Sequence, residues 1–162
     1  MEGMIRYGTS IGCGPFSQPQ TPQTKNFRYT SPGYYFVTIC THDKPHLFGE
    51  PGGLNACGIL AQDGFNLIQS HFPGIRVDKY VVMPNHVHAI MEVVTGTDDL
   101  CIAVGHYKAY VTREIHRTQP GLPVWQTSFH DHVIRNQEDY RNIWNYIDGN
   151  PQKWEKDCSF SR

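Results

Sequence analysis

The chain has 162 residues and a formal net charge of −1, with 18% charged and 12% aromatic residues. This length favours one domain with its own core. The charge excludes a protein that attracts nucleic acid through overall positive charge, so any DNA contact needs a local basic patch. We see no membrane-spanning run and no signal-peptide pattern, and we therefore expect a cytoplasmic protein with no membrane partner.

The cysteines are odd in number, widely spread and without a Cys-x-x-Cys pair. This pattern argues against a disulfide framework or a cysteine-built zinc site and favours a reducing compartment. We expect them to be small packing residues: Cys13, Cys40, Cys57, Cys101 and Cys158.

The first elements are a flexible arm and a buried strand. Residues 8–24 are rich in Gly, Ser, Pro, Gln and Thr without strand or helix period, so we assign residues 1–24 to an N-terminal arm and 25–162 to the folded domain. Residues 34–40 combine aromatic and β-branched side chains, which predicts a central strand.

A helix and a hairpin follow. The spacing predicts a helix over 54–72, ended by Pro73-Gly74, and then strands over 75–82 and 86–94. Because only three residues separate these strands, they should form an antiparallel hairpin. The apolar stripe of the helix is predicted to contain Leu60, Gly64, Leu67, Ile68 and His71.

The remaining pattern predicts a helix, a strand and a last helix. Asp98-Asp99 opens a helix to about Arg117 with Tyr107, Val111 and Ile115 on its apolar stripe. A strand is expected over 124–135 and a helix from Asn136 to about Asp148. The order predicts an α+β fold, a ferredoxin-like split β-α-β antiparallel sheet with an added C-terminal helix.

His86 and His88 are the first candidate site residues. Side chains alternate along a strand, so the two imidazoles share one face while Val87 and Ala89 share the other. This is half of a metal site, although surface strands also carry such pairs without metal. A second pair, His130 and His132, is an alternative zinc-type site or a pair of ordinary hydrogen-bonding histidines.

The last helix carries two tyrosines with different expected roles. At about 100° per residue, Tyr140, Ile143 and Ile147 share the sheet-facing stripe, as does Trp144. Tyr146 lies roughly 100° from the centre of that stripe, on an otherwise polar flank. It is either a boundary tyrosine or a functional one, and Asn150, four residues on, offers an oxygen suited to a divalent cation.

At this point the chain resembles the REP-associated tyrosine transposases, which belong to the His-hydrophobic-His single-strand endonucleases with one catalytic tyrosine. The resemblance covers about residues 25–154. It rests on successive motifs in one order: Pro84-Asn85-His86-Val87-His88, Tyr107 to Thr112, Val124-Trp125-Gln126, Phe129 to Asn136, Asp139-Tyr140-Arg141, and Tyr146-Ile147 with Asn150-Pro151.

The resemblance implies a domain, nucleoid-associated in the cell, that cuts and rejoins single-stranded DNA beside REP-like hairpins. It implies Tyr146 as nucleophile of a 5′-phosphotyrosine intermediate and His86, His88 and Asn150 as ligands of Mg²⁺ or Mn²⁺. Two imidazoles and an amide suit Mn²⁺ better. The alternatives are a catalytically silent hairpin-binding module of the same fold, and a hydrolytic metalloenzyme that does not use the tyrosine.

Basic and aromatic residues supply candidate DNA contacts. Cations can pair with phosphates and rings can stack on bases, although scattered cations are usually solvated and rings are usually core. Thr127 stands where family members often carry a basic residue, so we expect either the DNA affinity or the preferred hairpin to differ. The protein is expected to be a monomer or homodimer. The candidates are Lys108, Arg113, Arg117, Arg135 and Arg141, with Trp125, Tyr110 and Phe129 as stacking rings.

Overall fold

A computed structural model describes residues 29–43, 45–50 and 52–156, with side chains through 153. Its elements in chain order are β1 (Gly33–Cys40), β2 (Gly49–Glu50), β3 (Gly53–Leu54), α1 (Ala56–His71), β4 (Ile75–Met83), β5 (His86–Val93), α2 (Leu100–His116), β6 (His130–Ile134), α3 (Gln137–Gly149) and a 3-10 helix (Asn150–Lys156).

Four strands form one antiparallel sheet in the order β4-β5-β1-β6. The β4–β5 hairpin turns through Pro84 and Asn85, as its short connection predicts. The crossovers through α1 and α2 place these helices on one face, and α3 packs on the other. The predicted ferredoxin-like α+β fold with an added helix is confirmed.

The face covered by α1 and α2 holds the larger core. Tyr107, Val111 and Ile115 of α2 are fully buried, as predicted. A Cβ on Gly64 would lie 2.7 Å from the Tyr107 ring, so this glycine lets the two helices approach closely. The other core residues here include Tyr35, Val37, Ile39, Phe65, Ile68, Val87, Ala89, Met91, Leu100 and Val104.

The predicted stripe of α1 is partly wrong. Gly64 and Ile68 are buried, but Leu60 and Leu67 are half-buried and His71 is exposed. Small residues allow close packing, so the helix buries a face rotated from the one marked by its leucines. That face contains Cys57, Gly58, Ala61, Gly64, Phe65 and Ile68.

The strand predicted over 124–135 is also too long. The regular strand is His130–Ile134, preceded by a single bridge between Thr41 and Trp125. Thr127 and Ser128 are exposed in a bend between the two, which interrupts the ladder. The short β2–β3 hairpin, with two residues per strand, was not predicted.

The arm predicted over 1–24 lies outside the described residues, as do Cys13 and Cys158. Cys40 and Cys57 are buried and Cys101 is half-buried, and none of these three forms a disulfide. Among the helices of the described segments, none has the length and apolar character needed to cross a membrane.

Candidate active site

The two histidines of β5 lie at the centre of the sheet, on the face covered by α3. Both are fully buried, and Val87 and Ala89 point into the opposite core, as strand alternation predicts. The Nε2 atoms of His86 and His88 are 2.9 Å apart. The pair is therefore internal and convergent, unlike a chance pair on a surface strand.

Each imidazole is oriented through its other nitrogen. His86 Nδ1 lies 2.8 Å from Asn85 Oδ1, and His88 Nδ1 lies 2.8 Å from Thr38 Oγ1. Thr38 is directly opposite His88 on β1, and both Thr38 and Asn85 are fully buried. Partners of this kind fix the rotation of a histidine ring and direct Nε2 towards a ligand.

α3 begins at Asn136, whose side-chain oxygen accepts a hydrogen bond from the Asp139 backbone at 2.8 Å, as the sequence predicts. Ile143 and Ile147 are buried against the sheet. Their partners on the sheet are Phe36, Ile90 and Ile134. The helix thus lies across the face that carries the histidines.

A β-bulge in β4 anchors one side of α3. The register shifts between Val77 and Lys79, which leaves Asp78 as an extra residue. Asp78 accepts a short hydrogen bond from the Tyr140 hydroxyl, and burial, with this bond, raises the pKa of Tyr140. Lys79 forms a 2.6 Å ion pair with Asp148. Tyr140 is therefore the structural tyrosine, as its stripe predicts.

Tyr146 lies over the histidine pair. Its hydroxyl oxygen is 3.4 Å from His88 Nε2, and its ring meets the His88 ring edge-on at 5.3 Å between centroids. The Phe36 ring contacts both side chains, stacked on His88 and edge-on to Tyr146. The last helix therefore brings its polar-flank tyrosine to the strand that carries the histidines, about sixty residues earlier in the chain.

Asn150 follows one helical turn later. Although it precedes Pro151, its backbone is helical (φ −60°, ψ −45°), so the four-residue spacing keeps it on the Tyr146 face. Its side chain is buried, and its Oδ1 has no hydrogen-bond partner within the described part of the chain. A buried acceptor without a partner costs about 1–3 kcal/mol, so it fits a cation ligand better than a structural amide.

The rival pair on β6 has other partners. His132 Nε2 lies 2.8 Å from Asp139 Oδ2, which ties β6 to α3. Asp131 accepts a 2.9 Å hydrogen bond from Tyr29, and burial raises the pKa of the Asp131 carboxyl. Within the described residues, no group of three His, Cys, Asp or Glu side chains is placed to bind a metal.

Two of the predicted DNA contacts hold a loop beside α2. Lys108 Nζ donates to the backbone oxygens of Gln126 (2.6 Å) and Thr127 (3.2 Å), and Trp125 donates to the Lys108 backbone oxygen at 3.2 Å. Burial lowers the pKa of Lys108. An open groove of about 740 Å³ lies here, lined by Lys108, Thr112, Arg113, His116, Trp125 and Gln126 among others. Direct DNA contact by Lys108 and Trp125 stays a prediction.

The predicted arginines fall into two groups. Arg113, in the last turn of α2, and Arg117, which caps its C-terminus, contact the Glu114 carboxylate at 3.3 and 3.2 Å. Arg135 is exposed just after β6, and Arg141 is exposed on α3, the helix that also carries Tyr146. Of the rings, Tyr110 lies under Arg113 and Phe129 packs near Tyr29, both half-buried.

Known proteins resemble this chain in sequence and in fold. No protein-family model matches the chain. An uncharacterized protein of Haemophilus influenzae is 32% identical over 158 positions, covering 82% of this chain and 88% of that protein. A REP-associated tyrosine transposase of Escherichia coli K12 is 36% identical over 87 positions, covering 52% of this chain and 50% of that protein.

A solved structure of a REP-associated tyrosine transposase bound to a REP hairpin superposes with a TM-score of 0.65. It is 26% identical and covers 80% of this chain and 72% of that one. The chain belongs to the REP-associated tyrosine transposase family. Relatives named as transposases indicate a transposase-type enzyme, which agrees with the tyrosine and histidines brought together here.

Thr38, Asp78 and Asn85 were not singled out by the sequence analysis, nor was Phe36, which packs on both His88 and Tyr146. Thr38 was hidden because its importance depends on the β1–β5 register. Asp78 acts through a bulge that no strand pattern reveals. Asn85 stands beside His86 in the quoted motif, and this adjacency was a signal for a supporting role.

Proposed function

We propose that this protein cuts and rejoins single-stranded DNA beside a hairpin, with Tyr146 as the nucleophile. The observation that carries the proposal is the 3.4 Å approach of the Tyr146 hydroxyl to His88 Nε2 on a buried face. The hydroxyl of Tyr140, the other tyrosine of α3, donates a hydrogen bond to Asp78, which favours a structural role for Tyr140. The family resemblance assigns the same tyrosine.

His86, His88 and Asn150 would hold a divalent cation, Mg²⁺ or preferably Mn²⁺. The support is two convergent Nε2 atoms 2.9 Å apart and a buried amide oxygen without a partner in the described chain. When bound, such a cation neutralises and polarises the scissile phosphate. The two imidazoles and the amide are neutral donors, so the net charge of the site would become positive, which favours an anionic backbone.

The proposed step is an exchange of phosphate ester bonds. The Tyr146 oxygen attacks the phosphorus, the bond to the 3′ oxygen breaks, and the phenolic proton is lost while the 3′ oxygen gains one. The 5′ phosphate stays on Tyr146, and attack by a 3′ hydroxyl in the reverse direction rejoins a strand. Because one ester replaces another, no external energy source is needed.

The fold supports this step by orientation and by exclusion of water. The packing of Ile143 and Ile147 fixes the distance between α3 and the sheet. Tyr146 and the two histidines are therefore already close together before the substrate binds. Phe36 packs against both rings of the site and shields them from solvent. Arg135 and Arg141 are exposed just before α3 and on it, and we assign them as cations that contact DNA phosphates.

The decisive experiment is covalent capture of a labelled single-stranded hairpin oligonucleotide in the presence of Mn²⁺. Wild-type protein should yield an adduct that survives denaturing electrophoresis, and Tyr146→Phe should yield none. Tyr140→Phe is the matched control on the same helix and should still form the adduct. An adduct with Tyr146→Phe would refute the nucleophile assignment.

The same assay separates the alternatives. A protein that binds the hairpin without forming an adduct under any divalent cation would be a silent binding module. Release of free 5′ phosphate ends without a protein-linked strand would indicate a hydrolytic metalloenzyme. Mass spectrometry of the cleaved ends distinguishes these products, and chelation of the cation should abolish the adduct while leaving hairpin binding measurable.

The placement of the arginines gives a second test of DNA binding. Arg141→Ala should weaken binding and reduce the salt dependence of log K by about one phosphate contact, because Arg141 is an exposed cation on the helix that carries Tyr146. Arg113→Ala is the control, since this residue lies on α2 next to Glu114 and should change binding less. Equal losses would place the DNA across both faces of the sheet.

A further inference from the structure

The β-bulge in β4 changes which side of the sheet Lys79 faces. Val77 packs against the core under α1 and α2, so strict alternation would turn Lys79 towards that apolar core as well. The register shift instead inserts Asp78 and places Lys79 opposite Ile90, whose side chain belongs to the core under α3. Two consecutive side chains of β4, Asp78 and Lys79, therefore reach α3.

Lys79 contacts one flank of α3. Its Nζ lies 2.6 Å from Asp148 Oδ1 and 4.2 Å from the centroid of the Trp144 ring. Trp144 and Asp148 are four residues apart, so they lie on one side of the helix. At about 100° per residue, Asp148 lies roughly 90° from the centre of the sheet-facing stripe in one direction, and Tyr146 lies roughly 100° from it in the other. Lys79 therefore holds the flank opposite the one that carries Tyr146.

These contacts restrict the rotation of α3 about its own axis. The burial of Ile143 and Ile147 brings the helix onto the sheet, but apolar burial is non-directional. Side chains extend about 5–6 Å from a helix axis, so a rotation of about 10° moves their ends by about 1 Å. A misplacement of about 1 Å can slow a reaction by as much as about 10²-fold. The contacts of Lys79 with the far flank thus bear on where the Tyr146 hydroxyl lies.

We propose that Lys79 is a positioning residue that sets the rotation of α3 and so directs the Tyr146 hydroxyl towards His88. The inference rests on the proposed function, in which Tyr146 is the nucleophile. The Lys79 side chain is 19% exposed and that of Asp148 is 69% exposed, and ion pairs this open to water usually add little to stability. Loss of the pair should therefore leave the fold intact while α3 gains freedom to rotate.

The test compares Lys79→Met with Lys79→Arg in the full chain. Methionine keeps an apolar stem without the charge, whereas arginine can make both the ion pair and the contact with the Trp144 ring. At saturating hairpin and Mn²⁺, adduct formation should slow about 5- to 30-fold in Lys79→Met, because the helix regains its productive rotation at the cost of two modest contacts. The rate should stay within about threefold of wild type in Lys79→Arg.

Arg76→Met is the matched control. Arg76 lies on the same strand, but its guanidinium pairs with Glu92 of β5 at 3.3 Å rather than with α3. Its loss should change the rate of adduct formation by less than about twofold.

A charge exchange separates positioning from direct contact with DNA. Lys79→Asp should slow adduct formation, and the addition of Asp148→Lys should recover at least about twofold in rate, because opposite charges again face each other. If Lys79→Met instead weakens hairpin binding, lowers its salt dependence and leaves the saturated rate unchanged, then Lys79 contacts a phosphate and the inference is refuted.

NMR gives a readout that does not depend on activity. The Tyr146 and Phe36 rings meet edge-on with 6.2 Å between centroids, and nuclear Overhauser effects between them should weaken in Lys79→Met. Those between the Tyr140 and Tyr34 rings, 5.4 Å apart, should persist and report that the variant is folded. Unchanged Tyr146–Phe36 effects would refute the role of Lys79 while the proposed function stands. If the wild type forms no adduct, the proposed function fails, whereas this comparison still decides whether Lys79 orients the helix.

Discussion

The two faces of the central sheet are built in opposite ways. The face under α1 and α2 is filled mainly by apolar side chains, and the hydroxyl of the fully buried Tyr107 donates to the Ala61 backbone oxygen at 2.7 Å. The face under α3 has a small apolar centre and a row of polar groups beside it, including Thr38, His86 and His88. The same strands supply both faces through alternation.

This contrast separates stability from chemistry. Burial of apolar area supplies most of the favourable free energy of folding, and the larger core lies on the face without the site. Burying polar groups on the other face costs free energy, and the larger apolar core offsets this cost. The comparison predicts that equivalent changes on the two faces will differ in which property they alter, stability or activity.

The largest effect should come from the apolar face. Phe65→Ala removes a fully buried ring that stacks between Tyr80 (4.4 Å between centroids) and Tyr107 (4.6 Å). We expect a loss of about 3–5 kcal/mol in the free energy of unfolding, measured by urea denaturation. Adduct formation per folded molecule should not change at low temperature. A specific loss of activity would show that the two faces are coupled.

Tyr140→Phe should destabilise the protein less, by about 1.5–3 kcal/mol, because it removes a hydrogen bond to the Asp78 carboxylate. Tyr146→Phe, on the same helix, removes the longer 3.4 Å contact to His88 and should cost less, about 0.5–1.5 kcal/mol. Thermal unfolding of both variants checks this. Equal destabilisation would mean that Tyr146 is also a structural residue.

A matched pair of small truncations tests the two helices directly. Ile115→Val on α2 and Ile147→Val on α3 each remove one methylene from a fully buried site and should cost about 0.5–1.5 kcal/mol. Only Ile147→Val should slow adduct formation, since Ile147 holds the helix that carries Tyr146. Similar rates of adduct formation for both variants, measured with the hairpin substrate, would show that the distance between α3 and the sheet does not affect this rate.

The smallest effect on stability is expected at Asn150. Asn150→Ala removes a buried oxygen that has no hydrogen-bond partner in the described chain, and the lost packing offsets the relief of that cost. The free energy of unfolding should change by less than about 1 kcal/mol while Mn²⁺ affinity falls. Asn85→Ala, whose oxygen is bonded to His86, is the control and should be more destabilising. If Asn150→Ala were more destabilising than Asn85→Ala, Asn150 would have a structural role.

The sequence alone predicts the strand and helix order and the identity of the candidate site. Tyr146 and Tyr140 were distinguished by helical angle, and His86 and His88 by strand alternation, because both periodicities are local properties of the chain. The position of Tyr146 relative to the two histidines could not be predicted from these periodicities. It depends on the bulge at Asp78 and on the register that places Thr38 opposite His88. Those features arise only when distant segments pack together.

The position of α3 in the chain has a consequence for protein synthesis. Every strand of the sheet precedes α3, so the histidines and their supporting partners can fold before the helix emerges from the ribosome. On the proposed function, a nascent chain that has completed its sheet has no nucleophile in place. DNA cleavage would begin only with the last turns of this helix, so incomplete copies of the protein would be harmless to the genome that encodes them.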